Sequence, residues 1–283
     1  MISFAITFLA ILAGTLIPAY IALYLIPNLR MVRTGYIVAA GIGLTFWFWT
    51  DTMGDSAYLN VDESIYPLSS FGGFEHVAII SLFLAGIAVL AIFDHFAVSK
   101  SSSTRIAPQI SMKDYSPSRL FIIPVAVALV MGIHGLGEGW DFGSVASLPA
   151  ATNLITTFGN LPSVISYPIH KLLEAGIIAS MYTCYVARAK ETVKRYWWQI
   201  PLLGLLFGGP SVLGTAIGYF VAFDTTYFYA FGVTSAIYAV IRLAEALSPK
   251  FQSGENPAMR LGGKVFLALA IGFLLLYGAA LLH

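Results

Sequence analysis

Cysteine and charge are both scarce in this chain of 283 residues. Cys184 is its only cysteine, which excludes an internal disulfide and any cluster of thiolate metal ligands. Charged residues make up 10% of the sequence, whereas a soluble domain usually carries about 25%. Because hydrophobic residues make up 58%, the composition indicates an integral membrane protein with no room for a separate soluble domain.

Two kinds of catalytic or energy-coupling motif are also missing. The chain has no glycine-rich phosphate loop of the G-x-x-x-x-G-K-[ST] kind, which argues against an ATP-driven motor. It has no combination of nucleophile, base and orienting residue typical of hydrolases. We therefore expect a protein that is not an enzyme, and we expect no nucleic-acid partner.

The apolar residues occur in blocks long enough to cross a bilayer as helices, which takes about 20 residues each. They lack the alternation of an outer-membrane barrel. The sequence predicts one all-α transmembrane domain over residues 1–283 with eight spans. The predicted spans are 2–26, 34–51, 76–97, 119–141, 164–187, 199–222, 226–247 and 264–282.

The basic residues predict the orientation, because Lys and Arg collect on the cytoplasmic side of a membrane. With eight spans, every Lys and Arg except Lys171 lies on one side of the predicted bundle. The opposite ends carry acidic residues instead, namely Asp51, Asp55, Asp62, Glu63, Glu75, Asp141 and Asp224. Both termini are therefore expected outside, in a multi-pass protein of the cell membrane. The segment 98–118 is rich in Ser and basic residues and is expected to be a flexible cytoplasmic loop without a histidine cluster.

Two His-x-x-x-Glu motifs stand in the fourth and fifth predicted spans. Residues four apart share one helix face, so His134 pairs with Glu138 and His170 with Glu174. Both histidines lie about 10 Å from the outer boundary at a rise of 1.5 Å per residue, so they are expected at one level. Two imidazoles and two carboxylates suit a divalent cation, with Zn²⁺ the first candidate and Fe²⁺ and Mn²⁺ the others.

Three alternatives remain open at this stage. The motifs could be interhelical hydrogen-bond pairs, with Lys171 neutralising a glutamate without any metal. The chain could be a non-transporting integral subunit of a larger membrane complex. Composition also does not exclude a membrane enzyme with catalytic zinc, which would need an open coordination position and a nearby base.

The acidic residues at the outer helix ends have a second interpretation of their own. Asp51, Asp55 and Asp141 are candidates for an entry vestibule, because acidic groups at a mouth concentrate cations. Solvated helix ends explain the same residues without any function.

The motif "HGLGEG" of the fourth span resembles the H-N-x-x-[ED]-G motif of the ZIP (Zrt/Irt-like) family of divalent-metal transporters, keeping His134, Glu138 and Gly139. "HKLLEAG" in the fifth span is similar to the related motif of that family, and a weaker similarity covers most of the chain. The resemblance implies eight spans, outside termini and metal movement toward the cytoplasm in a membrane-bound protein. It leaves a second copy of the chain or a larger membrane complex as the candidate protein partner.

Three residues depart from the family pattern where the family builds a second metal position. Gly135 stands where Asn is common, Lys171 where many members have an acid, and Gly209 where many have Glu. The resemblance therefore implies one bound metal rather than two, with Lys171 as the substitute for the second ion.

Overall fold

The computed structural model describes residues 2–29, 32–57, 75–97, 121–189, 197–247 and 263–281. All regular secondary structure within these ranges is helical. The helices are α1 (Ile2–Leu25), α2 (Thr34–Ala57), α3 (Glu75–Ala97), α4 (Ile122–Ser147), α5 (Leu154–Phe158), α6 (Leu161–Ala189), α7 (Gln199–Gly218), α8 (Thr226–Gly232), α9 (Thr234–Leu247) and α10 (Gly263–Ala280). The predicted loop 98–118 lies outside the described residues.

Six stretches of helix in the described ranges are long and apolar enough to cross a bilayer: α1, α3, α4, α7, the pair α8–α9, and α10. The prediction of an all-helical, multi-pass membrane protein is thereby confirmed. The remaining two long helices, α2 and α6, are not among the six, and both carry charged side chains such as Asp51 and Lys171 in their length.

The predicted span 226–247 is two helices rather than one. α8 ends at Gly232 and α9 begins at Thr234, with Val233 between them. The added Cβ of a side chain at Gly232 would lie 2.5 Å from the Cβ of His134, so the glycine permits the close approach of α8 to α4. The break therefore lies next to a close contact between α8 and α4.

Glycines bring α4 and α7 into direct backbone contact. A Cβ added at Gly139 would collide with the carbonyl oxygen of Ser211, and one added at Gly214 would collide with that of Leu136. Such small-residue interfaces replace the hydrophobic effect as the source of helix association in a membrane. α4 is consequently packed backbone to backbone on α7, and its polar face is positioned by that contact.

α2 is anchored in the same way on α10. A Cβ at Gly43 would collide with the carbonyl oxygen of Leu269, and one at Gly272 with that of Ala40. α2 also packs against α6 and α9. This arrangement places one face of α2 toward the centre of the bundle, where it meets the fourth and fifth predicted spans.

The interior of the bundle has an apolar part and a polar part. The apolar part includes Met131, Ile178, Tyr182 and Leu203, all buried. Its polar counterpart is the group His134, His170, Lys171 and Glu174, each no more than 6% exposed. Ionisable residues at membrane depth are costly and mark functional sites, so this polar group is the candidate centre of function.

Candidate metal centre

α4 contributes His134 and Glu138 from one helix face, as their spacing predicts. The Nε2 of His134 lies 3.3 Å from the Oε1 of Glu138. The imidazole is held between two aromatic rings, with centroid distances of 5.0 Å to both Phe48 and Tyr229. Ring packing from α2 and α8 therefore fixes the orientation of this histidine.

α6 contributes three polar side chains, His170, Lys171 and Glu174, from its inward face. The Nε2 of His170 lies 3.1 Å from the Oε1 of Glu174, and the Nζ of Lys171 lies 2.5 Å from the Oε2 of the same carboxylate. Lys171 and Glu174 are fully buried. Both oxygens of Glu174 are thus engaged within its own helix, by different partners.

Side chains of α4 and α6 meet across the helix interface through two contacts. Lys171 forms an ion pair with the Oε2 of Glu138. His134 Nε2 lies 3.7 Å from Glu174 Oε1. The structure therefore brings all four sequence-predicted ligands together with Lys171, in a single network.

The two carboxylates divide their oxygens between two sides of this network. On one side, the Oε1 atoms of Glu138 and Glu174 face the histidine Nε2 atoms. On the other side, both Oε2 atoms contact the ammonium of Lys171. Each carboxylate therefore has one oxygen toward the imidazoles and one toward a resident cation.

The imidazole side has the spacing of a small metal site. A tetrahedral ion with ligands at about 2.1 Å needs ligand atoms about 3.4 Å apart, and the contacts of the Nε2 atoms with Oε1 atoms are 3.1, 3.3 and 3.7 Å. Among the described residues, His134, Glu138 and Glu174 form a group whose ligand atoms lie within 4.8 Å of one another. His170 is not a member of that group and adjoins it through its contact with Glu174.

One feature of His134 differs from the usual metal ligand. A ligating histidine normally donates its second ring N–H to an oxygen. The Nδ1 of His134 is buried and makes no hydrogen bond within the described ranges. The orientation of this ring therefore depends on Phe48 and Tyr229 instead of on a second hydrogen bond.

Lys171 is enclosed by aromatic rings as well as by carboxylates. Its Nζ lies 5.8 Å from the ring centroids of both Tyr167 and Phe207. The Tyr167 hydroxyl in turn lies 2.9 Å from the Thr15 Oγ1 in α1. Four groups thus stabilise a single buried positive charge, because ring faces attract cations as carboxylates do.

Gly135 and Gly209, the two glycines singled out in the sequence, have different surroundings. A Cβ at Gly135 would lie 2.5 Å from the Oγ of Ser211, whose hydroxyl is buried and has no hydrogen-bond partner among the described residues. A Cβ at Gly209 would meet only Leu205 of its own helix. A larger residue at 135 consequently requires Ser211 to move, whereas a larger residue at 209 requires a small shift of the Leu205 side chain.

The three predicted vestibule aspartates differ in their surroundings. The Oδ2 of Asp141 accepts hydrogen bonds from the Thr225 hydroxyl at 2.7 Å and the Tyr229 hydroxyl at 2.9 Å, so this carboxylate is tied to the start of α8. Asp51 is partly buried on α2 and interacts electrostatically with both histidines. The side chain of Asp55 lies outside the described residues.

Sequence reasoning missed the residues that shape the walls of the site. Phe48, Phe207 and Tyr229 are three among 20 Phe and 15 Tyr, and nothing in their local pattern separates them from lipid-facing aromatics. Ser211 is equally inconspicuous in the sequence, apart from its position two residues after Gly209. Their roles follow from contacts between helices far apart in the chain.

Comparison with models of protein families found no match for this sequence, and comparison with curated proteins found no significant match.

Proposed function

We propose that this protein is a divalent-cation transporter of ZIP type, which carries a zinc-like ion toward the cytoplasm through one intramembrane His/Glu site. The observation that supports it is the convergence of His134, Glu138, His170 and Glu174 between α4 and α6. A bound ion would take the Nε2 and Oε1 atoms as ligands and displace any protons they hold, because metal ligands must be deprotonated.

The proposal includes a bundle of eight spans with both termini outside in the cell membrane. α2 and α6 have 24 and 29 residues, and these correspond to about 36 and 44 Å at 1.5 Å per residue, more than a hydrocarbon core of about 30 Å. Polar residues inside these two helices are compatible with spanning when they face the bundle interior. Lys171 and Glu174 meet this condition because both are fully buried.

The cation is proposed to be Zn²⁺, with Fe²⁺ and Mn²⁺ as the other candidates. A set of two imidazole nitrogens and two carboxylate oxygens suits these ions better than Mg²⁺ or Ca²⁺, which prefer oxygen ligands alone. The ion is substrate here, so its affinity must permit release as well as capture.

One observation favours a second candidate, a non-transporting subunit of a membrane complex. Lys171 already ion-pairs with both carboxylates, so the network is partly charge-compensated without a metal. Under this alternative the polar group stabilises α4 against α6 and no ion crosses the membrane.

Zinc uptake by the purified protein in liposomes distinguishes the two candidates. We expect external Zn²⁺ to enter vesicles loaded with a zinc-sensitive dye, and His134→Ala with His170→Ala to abolish the entry. His95→Ala is the matched control, because His95 is exposed in the last turn of α3, a helix that carries none of the proposed ligands. Wild-type protein that folds and binds zinc yet gives no uptake would favour the subunit.

A further inference from the structure

The charges of the candidate centre do not by themselves match a divalent ion. Glu138 and Glu174 contribute two negative charges, and Lys171 offsets one of them through ion pairs to both. With neutral histidines as ligands, a bound dication would leave one excess positive charge in a buried site. Uncompensated buried charge is expensive in a membrane interior, so a further negative group is required.

Most other acidic side chains of the described ranges are already engaged. Asp94 and Glu245 pair with Arg242. Asp141 accepts hydrogen bonds from the hydroxyls of Thr225 and Tyr229. Asp224 accepts a hydrogen bond from the backbone N–H of Thr226. Each of these carboxylates therefore has a polar or charged partner in the described ranges, although Tyr229, a partner of Asp141, also contacts the His134 ring.

Asp51 differs from these residues in position and in partners. It follows Phe48 by three residues on α2, so the two share a helix face. The Phe48 ring contacts the His134 ring with a centroid distance of 5.0 Å, which fixes that face toward the metal ligands. Asp51 interacts electrostatically with His134, His170, Glu138 and Glu174, and no hydrogen bond or ion pair to a described residue holds its carboxylate.

We propose that Asp51 is a positioning residue that supplies the negative charge offset by Lys171, so that the centre carries two net negative charges for a divalent ion. The inference rests on the proposed function and deepens it. Asp51 acts through the field at the site rather than as one of the four ligands. Selectivity for a doubly charged ion then arises from the balance between an acid on α2 and a base on α6.

Zinc binding to the purified full-length protein tests this balance through a double-mutant cycle. We expect Asp51→Asn to weaken Zn²⁺ binding by about tenfold or more, equivalent to about 1.4 kcal/mol, because the mutation removes a unit charge near a dication at a partly buried site. Asp51→Glu should keep most of the affinity. Lys171→Gln retains an N–H donor for the glutamates but removes the positive charge. The double variant with Asp51→Asn and Lys171→Gln should therefore recover the zinc affinity that Asp51→Asn alone loses.

One control variant and the possible zinc affinities distinguish a failure of the charge balance from a failure of the proposed transport function. Asp94→Asn removes a carboxylate of the same kind from α3, a helix that carries none of the proposed ligands, and should change zinc affinity by less than about twofold. If Asp51→Asn binds zinc like the wild type, or if Lys171→Gln weakens it further, the charge balance is wrong while the transport proposal stands. If the wild type binds no zinc, both fail. Lys171→Met replaces Lys171→Gln in the cycle if the glutamine variant does not fold.

Discussion

Lys171 of α6 ion-pairs with Glu138 of α4 from the side of the carboxylate opposite to His134, whose Nε2 lies 3.3 Å from the other oxygen. A carboxylate that bridges two metals presents its oxygens in the same divided way, one to each ion. Under the proposed function, the ammonium takes the place of a second cation, and the imidazole side is the candidate position for a first. Lys171 would then account for a site that holds a single ion.

Metal content is the first expected outcome. Purified protein should retain about one zinc-like ion per chain, because the Nε2 and Oε1 atoms form a single group. His134→Ala with His170→Ala should abolish retention, measured by elemental analysis after dialysis, whereas His95→Ala should preserve it. Stoichiometric metal in the double variant would contradict the ligand assignment.

Recovery of a second ion is the second expected outcome. Replacing Lys171 by Asp, with Gly135→Asn and Gly209→Glu, should add an ion roughly 4 Å from the first, the spacing of bridged two-metal sites. Because a side chain at 135 would crowd the Ser211 Oγ, Ser211→Gly should be included. A folded variant that still binds one ion, or a wild type that binds two, would refute the role of Lys171 as a substitute cation.

Orientation in the membrane is the third expected outcome. In a Cys184→Ala background, cysteine at Ser102 should resist an impermeant thiol reagent applied to intact cells, because the basic residues predict a cytoplasmic side there. Cysteine at Ala150, exposed in the connection between α4 and α5, should react under the same conditions. Labelling at Ser102 with protection at Ala150 would invert the topology.

Helix packing gives the fourth expected outcome. Gly139→Ala should destabilise the protein by about 1–3 kcal/mol, the usual cost of overpacking, because its Cβ collides with the α7 backbone. Gly278→Ala in α10 is the matched control, since an added Cβ there meets nothing within 4 Å. Thermal unfolding in detergent compares the two. Equal melting temperatures would show that α4 and α7 are not in backbone contact.

The helical architecture and the chemistry of the centre follow from local pattern. Runs of apolar residues set most helix positions to within a few residues, and the four-residue spacing put each histidine beside its glutamate. α2 and α4 depart most from the predicted ends, since α2 continues to Ala57 rather than ending near 51, and α4 continues to Ser147 rather than ending near 141. Aspartates at the end of a helix do not interrupt its backbone hydrogen bonds. Because the predicted spans end where hydropathy falls, they stop before the helices do.

The surroundings of the ligands required the fold itself. Phe48 contacts His134 from α2, and Tyr229 contacts it from α8, across separations that no periodicity encodes. The break at Val233 has the same origin, because Gly232 lies against His134 and the constraint is visible only once both helices are placed. The sequence therefore identifies the candidate ligands, whose side chains the structure brings together, but not the rings that contact them.

Anomalous scattering from crystals grown with Zn²⁺ tests the central claim most directly, since it locates the ion without reference to activity. We expect one zinc peak between α4 and α6, about 2.0 to 2.2 Å from histidine nitrogen and carboxylate oxygen atoms, with the Lys171 ammonium still on the Oε2 side of both glutamates. Two peaks bridged by Glu138 and Glu174, or a single peak away from His134 and His170, would contradict the account.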